Sequence, residues 1–202
     1  LSQPRMIQRI LDLVGIDPND EKTRRHNTPA DSETILHKDE NGNPRKQTVN
    51  YRAVVGCLSY LQAMVRPDIT FAVQACARFC NDPKQSHEEA VKRICRYLLA
   101  TRDRGICMKP DRSKGLECYV DADWAGSWHK DHTNDPSTAH SRTGYVISFA
   151  GCPIIWGSKM QSLIALSTAE SEYIALSTAL REVIYVMNLL NELKGRGFTV
   201  PS

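Results

Sequence analysis

The chain has 202 residues, of which 41% are hydrophobic and 24% charged, and its formal net charge is +3. These proportions are ordinary for a globular protein and exclude wholesale disorder. No apolar run approaches the roughly 20 residues of a membrane span, so we expect no membrane partner. The seven cysteines form no C-x-x-C pair, which favours a reducing, intracellular setting. Because the first residue is Leu1 and not Met, we expect a piece of a longer protein.

The first half of the chain has the apolar spacing of helices. Gly15 stands where a C-terminal cap belongs, Asp68 can cap the third helix, and Ser86-x-x-Glu89 is a capping-box pattern for the fourth. The predicted helices cover residues 6–14, 51–65 and 68–80, with the fourth opening near residue 86. Residues 19–48 are polar and predict a long, mobile loop.

The fourth predicted helix is basic. From Lys84 to Lys114 there are nine Lys or Arg residues against four Asp or Glu. Lys92, Arg93 and Arg96 share the face opposite the apolar one, which suits contact with a nucleic-acid backbone. A solvated helix face is the alternative interpretation.

The spacing of apolar residues changes after Gly115. Leu116, Cys118 and Val120 alternate with polar residues, as in a strand. Further strands are predicted at 145–149 and 153–156, with 163–166 as an extension or another strand. A long helix follows over about 168–193, with an apolar stripe of Tyr173, Leu176, Leu180, Ile184, Met187 and Leu190. The sequence therefore predicts an α+β protein: a helical module, then antiparallel strands packed on a long helix.

Two acidic positions stand out in this second half. Asp121 ends the first predicted strand, where a turn-forming Asp is the alternative. Glu170 and Glu172 are about 200° apart on a helix, so they cannot face one site. Ser167 and Glu170 have capping-box spacing, which leaves Glu172 for another role or, alternatively, facing solvent.

Four motifs carry a resemblance to a known family. They are Tyr119–Gly126, Ser141–Val146, Pro153–Gln161 and Ala165–Leu176, which resemble the ribonuclease H region of Ty1/copia-type retrotransposon polyproteins. Tyr51–Leu61 and Arg66–Val73 resemble the segment after the polymerase palm in the same polyproteins. The resemblance implies a reverse transcriptase thumb or connection segment over 1–110, and the N-terminal part of a ribonuclease H-like domain over 114–202.

The resemblance implies hydrolysis of the RNA strand of RNA–DNA hybrids with two Mg²⁺ ions, which prefer oxygen ligands. By motif, Asp121 is the first-strand metal ligand and Glu172 the helix ligand, while Asp123 and Glu170 are neighbours with other roles. The family uses four acidic ligands, and only two have matches here. We therefore expect this chain to be inactive or very weak alone.

The implied partners are an RNA–DNA hybrid, an upstream polymerase domain and the downstream remainder of the ribonuclease H domain. The implied setting is a cytoplasmic virus-like particle. The alternative function is that of a non-catalytic nucleic-acid-binding or scaffold remnant, in which Lys92, Arg93 and Arg96 hold a hybrid without chemistry.

Overall fold

The computed structural model describes residues 1–20, 22–31, 35–46, 49–133 and 135–200. The chain divides into two compact units, Leu1–Ile106 and Cys107–Ser202. The first is helical in its described part, and the second contains three antiparallel strands and one long helix. The prediction of an α+β protein is confirmed.

Four α-helices and one 3₁₀ turn build the first unit. They are α1 (Pro4–Val14), α2 (Tyr51–Met64), the 3₁₀ turn Pro67–Ile69, α3 (Thr70–Ala77) and α4 (Gln85–Ala100). Helix α1 ends as predicted: Gly15 has φ +72°, its N–H donates to Asp12 O, and the Ile16 N–H donates to Leu11 O. This left-handed cap suits glycine, which lacks a Cβ.

One hydrophobic core joins the helices of this unit. Its side chains come from every helix at the predicted apolar spacing, and each buried aliphatic side chain contributes about 1.5–3 kcal/mol. Fully buried members include Ile7, Ile10, Val54, Leu58, Leu61, Ile69, Val73, Ile94 and Leu98. The described part of 19–48 is irregular, as expected, yet Ala30 and Leu36 pack against this core.

Two predicted helix starts are wrong. Asp68 does not cap α3, because its carboxylate accepts hydrogen bonds from Arg66 and Tyr97. Ser86 and Glu89 form no capping box. Helix α4 begins at Gln85 instead, and the His87 imidazole Nδ1 accepts from the Lys84 N–H at 2.8 Å.

The second unit begins with a three-stranded sheet in the order β1-β2-β3. Its strands are β1 (Leu116–Asp123), β2 (Arg142–Phe149) and β3 (Cys152–Met160). Strands β2 and β3 are joined by a turn at Ala150 and Gly151, both with positive φ, as a tight hairpin requires. Residues 163–166 form no strand, and Leu163 and Leu166 are exposed.

Helix α5 (Thr168–Gly195) packs against β1 and β2. The predicted apolar stripe does not make this contact: Tyr173 is 74% exposed and Ile184 54%. The buried residues Ser171, Ala175 and Ala179 face the sheet instead. Their small side chains let the helix backbone approach closely, and the large stripe is left on the opposite side of the helix.

Among the described residues, α5 is long and apolar enough to cross a membrane, by length and composition only. The helix also contacts the sheet through Ser171, Ala175 and Ala179, although most of its residues are not buried. The absence of a membrane partner stays a prediction.

Candidate functional site

Asp121 lies near the end of β1, with small residues beside it. Its cross-strand partner is Gly144 of β2, which in turn pairs with Ser158 of β3. Directly paired residues share one face of a sheet, so no bulky cross-strand side chain covers the Asp121 carboxylate. Asp121 is exposed, and an exposed carboxylate on a strand is available to a cation or a donor.

Glu172 lies in the second turn of α5, whereas Glu170 lies in the first turn and takes part in the helix cap. The Ser167 Oγ accepts from the Glu170 N–H at 3.2 Å, and the Glu170 carboxylate accepts from the Leu166 N–H at 2.7 Å. Glu170 thus takes part in the helix cap, as predicted, but its carboxylate accepts from the Leu166 N–H and not from the Ser167 N–H. Glu172 is exposed and accepts no hydrogen bond from the described residues.

A buried glutamine joins the sheet to α5. The Gln161 amide Nε2 donates to Thr143 Oγ1 at 3.2 Å and to Ser171 O at 2.9 Å. The Thr143 side chain therefore faces α5, and so does its cross-strand partner Ala122. Asp121, the next residue in β1, lies on the opposite face of the sheet.

Glu172 lies at the edge of the contact between α5 and the sheet. It follows the buried Ser171 and is therefore about 100° around the helix from it. The structure thus places the two predicted ligands on different layers: Asp121 is on the outer face of the sheet and Glu172 on the helix that covers the inner face. In the described part of the chain, no group of three or more His, Cys, Asp or Glu residues could hold a metal ion.

The turn after β1 holds two residues whose roles the sequence suggests only weakly. The Trp124 indole Nε1 donates to Ala165 O at 3.0 Å, which ties the end of β1 to the segment leading into α5. The Asp123 carboxylate lies over Gly126, where a Cβ would collide with it. Asp123, the last residue of β1, therefore packs over the following turn, and Trp124 is a positioning residue that sequence reasoning missed.

The predicted basic residues of α4 differ in their surroundings. The Lys92 Nζ lies 2.7 Å from the buried Glu88 Oε1, and the Arg93 NH1 lies 3.0 Å from Asp31 Oδ2. Arg96 has no ion pair or hydrogen bond to a side chain within the described ranges. Their role in binding nucleic acid stays a prediction.

Known proteins resemble the chain over most of its length. It is 37% identical over 200 residues to the retrovirus-related Pol polyprotein from transposon TNT 1-94 of Nicotiana tabacum, covering 96% of this chain. It is 38% identical over 143 residues to the Pol polyprotein from transposon RE1 of Arabidopsis thaliana, covering 71%. It is also 36% identical over 149 residues to the secreted RxLR effector protein 161 of Plasmopara viticola, covering 74% of this chain and 99% of the effector.

The chain is homologous to part of the retrovirus-related Pol polyproteins of transposons. These relatives support the predicted relation to retrotransposon Pol, while the assignment to its reverse transcriptase and ribonuclease H region stays a prediction. This transposon Pol chain spans 14% of the tobacco polyprotein and 9% of the RE1 polyprotein. No family model matches it, and no solved structure matches it significantly.

Proposed function

We propose that this transposon Pol chain is part of a reverse transcriptase and ribonuclease H, whose complete nuclease domain hydrolyses the RNA strand of RNA–DNA hybrids. The observation that carries the proposal is that two carboxylates are exposed, Asp121 near the end of β1 and Glu172 in the second turn of α5. Their acidic neighbours Asp123 and Glu170 are engaged in a turn and a cap. Residues 1–110 are the thumb or connection segment in this proposal, and residues 114–202 belong to the nuclease.

The two carboxylates are chemically suited to bind Mg²⁺, but two are too few for a catalytic site. Carboxylate oxygens suit a hard cation, yet a catalytic pair of Mg²⁺ ions needs more oxygen ligands than two side chains supply. The described residues form no such group. Because Asp121 and Glu172 lie on different layers in this structure, we infer that a shared site requires a different placement of α5 against the sheet, with the remaining ligands supplied by residues outside this chain.

The topology of the sheet supports this inference. In the described sheet, β1 pairs with β2 along one of its edges only. The other edge of β1, which includes Asp121, has no partner strand in that sheet. A further strand on that edge would bring its own side chains beside Asp121. In this proposal, the downstream remainder of the nuclease domain supplies that further strand. A polymerase domain precedes the helical unit in the complete polyprotein. The proposed setting is a cytoplasmic particle.

The test uses this chain and a version extended to the full Pol region. In the extended protein we expect Mg²⁺-dependent cleavage of a labelled RNA–DNA hybrid, whereas the 202-residue chain cleaves weakly or not at all. Asp121→Asn and Glu172→Gln abolish cleavage, and the matched variants Asp123→Asn and Glu170→Gln retain most of it. Cleavage that survives both Asp121→Asn and Glu172→Gln would contradict the assignment of the site.

The second candidate is a non-catalytic nucleic-acid-binding or scaffold function. It is favoured by the basic α4 and by the lack of a metal-binding group among the described residues. In that case the extended protein binds hybrids without cleaving them at any Mg²⁺ concentration, and the four carboxylate variants bind equally well.

A further inference from the structure

Residues 35–46, which we name the strap, lie across the start of α4. The His87 imidazole Nε2 lies 2.8 Å from His37 O, and the Ser86 hydroxyl donates to Asp39 Oδ2 at 2.6 Å. These partners are 50 and 47 residues apart in the chain. The strap is therefore held by tertiary contacts with the helix.

A third contact comes from the backbone of the same turn of α4. The Gln85 N–H donates to Asn43 O at 3.0 Å. Gln85, Ser86 and His87 are the first three residues of the helix, so all three contacts with the strap depend on the position of one helical turn. Leu36, near the start of the strap, packs against the core of the helical unit.

The His87 ring both caps α4 and contacts the strap. Its Nδ1 accepts from the Lys84 N–H at 2.8 Å, which leaves the proton on Nε2 for the His37 carbonyl. The ring is fully buried and stacks on Phe79, with 4.0 Å between the ring centroids and 7° between the ring planes. Both contacts are made by one neutral tautomer, in which Nδ1 is an acceptor and Nε2 a donor.

Protonation of this ring would break the cap. An imidazolium carries a proton on each nitrogen, so the Nδ1 proton would point at the Lys84 N–H and two donors would face each other. The first turn of α4 must then move, and Gln85 and Ser86 move with it. Loss of the cap therefore weakens all three contacts with the strap at once.

The charged groups around His87 act in both directions. Burial, the largest effect, and the neighbouring His37 ring lower the pKa of His87, whereas the hydrogen bond to His37 O and the charges of Asp39 and Asp82 oppose the shift. Asp82 also pairs with the Lys84 ammonium at 3.0 Å. The net effect is a lowered pKa, so the closed strap favours the neutral ring.

Two further charged groups belong to the elements that meet the ring. The Arg78 guanidinium lies over the Phe79 ring, 5.1 Å from its centroid, and Glu88 is paired with Lys92 at 2.7 Å. Arg78 is positive and Glu88 is already paired, so neither offers an imidazolium a carboxylate partner.

We propose that the strap is an acid-sensitive latch: protonation of His87 releases residues 35–46 from α4 while the core of the helical unit stays folded. This inference does not depend on the proposed nuclease function. The closed strap is fully favoured while the ring is neutral, above the ordinary histidine pKa of about 6.5. Below that pH, each pH unit favours the open strap by up to about tenfold, because the open state binds one more proton.

Hydrogen exchange of the 202-residue chain, measured by NMR at pH 7.5 and pH 5.5, tests the latch. The amides of Lys84 and Gln85 donate to two of the contacts that open. Their protection factors, corrected for the intrinsic effect of pH, should fall about tenfold at pH 5.5. Local opening exposes little surface, so low concentrations of urea should not change this exchange. The amide of the buried Leu58 in α2 reports global unfolding and should exchange more slowly and respond to urea.

Two histidine variants identify the group that titrates. His87→Gln keeps a side-chain N–H for His37 O but cannot be protonated, so the protection factors of Lys84 and Gln85 should be equal at the two pH values. The matched variant His129→Gln, whose histidine is in the second unit, should keep the fall seen in the wild type. In the wild type, the amide shifts of the strap should change with the same midpoint as the shifts of the His87 ring, a measurement that needs no variant.

Any of three results would overturn the latch. Protection of the Lys84 and Gln85 amides that does not change with pH would show that protonation does not open the strap. Exchange of these amides at the rate and urea dependence of Leu58 would show that only global unfolding opens it. A fall in protection that persists in His87→Gln would assign the titration to another group. None of these results bears on hybrid cleavage, which tests the proposed function separately.

Discussion

The Arg66 guanidinium makes a two-point contact with the Asp68 carboxylate: Nε lies 2.9 Å from Oδ1 and NH2 lies 2.7 Å from Oδ2. The Arg66 side chain is only 2% exposed. The same guanidinium donates to Thr101 O and Thr101 Oγ1, and Tyr97 Oη donates to Asp68 at 2.7 Å. This network joins the end of α2, the 3₁₀ turn and the end of α4.

Removal of the Asp68 carboxylate should destabilise the helical unit strongly. Asp68→Ala leaves the buried Arg66 charge without its partner, and we expect a loss of about 3–5 kcal/mol in the free energy of unfolding. Asp103→Ala, an exposed acidic residue beyond α4, is the control, with a change of less than about 0.5 kcal/mol. Urea denaturation measures both, and equal losses would contradict the structural role of the network.

The same carboxylate should contribute to acid sensitivity. Burial favours the neutral carboxyl, but the hydrogen bonds from Arg66 and Tyr97 outweigh it and lower the pKa of Asp68. The stabilisation is therefore complete above the unfolded-state pKa of about 3.9 and is lost as the pH falls below it. Asp68→Asn should weaken this acid-induced loss.

A buried histidine should make stability depend on pH near neutrality. The His87 Nδ1 accepts from the Lys84 N–H, so its proton lies on Nε2, which is 2.8 Å from His37 O. Burial lowers the pKa of His87, although the hydrogen bond to His37 O opposes the shift. The folded state therefore favours the neutral ring, and its stabilising effect is lost as the pH falls below about 6.5.

Unfolding in urea at pH 7.5 and pH 5.5 tests this dependence. His87→Gln should reduce the loss of stability between the two values. His129→Gln, which replaces a histidine whose side chain is 46% exposed, should leave that loss unchanged. An identical pH dependence in His87→Gln and the wild type would show that this ring does not titrate in the folding equilibrium.

Two neighbouring residues of α5 test which face of the helix packs. Ala179 is fully buried, whereas Leu180 is 44% exposed. Ala179→Leu should push the helix from the sheet and lower the free energy of unfolding by about 1–3 kcal/mol. Leu180→Ser should change it by less than about 0.5 kcal/mol. The reverse order, again by urea denaturation, would mean that the large apolar stripe makes the contact in solution.

The features predicted correctly depend on residues close together in the chain. The cap at Gly15 and the engagement of Glu170 at the start of α5 need only one turn of helix. The strand alternation around Val120 is local in the same way. Such patterns can be read from sequence because backbone hydrogen bonding and side-chain periodicity are set within a few residues.

The features that were wrong or missed depend on distant partners. Arg93, whose role in binding nucleic acid stays a prediction, contacts Asp31, 62 residues away, and the sequence does not predict this contact. His87 replaces the predicted capping box because its other ring nitrogen contacts His37 O, 50 residues away. A pattern within a few neighbouring residues cannot predict contacts between residues so far apart in the chain.

The sequence by itself determined, through the periodicity of its apolar residues, five helices, three strands and the α+β class, and its motifs carry the resemblance to transposon Pol polyproteins. Only the tertiary structure decided that α5 packs through Ser171, Ala175 and Ala179, and that Asp121 and Glu172 lie on different layers. The physical reason is that close packing favours the helix face that is most complementary to the sheet. On α5 the small residues let the helix backbone come closer to the sheet than the large apolar residues would.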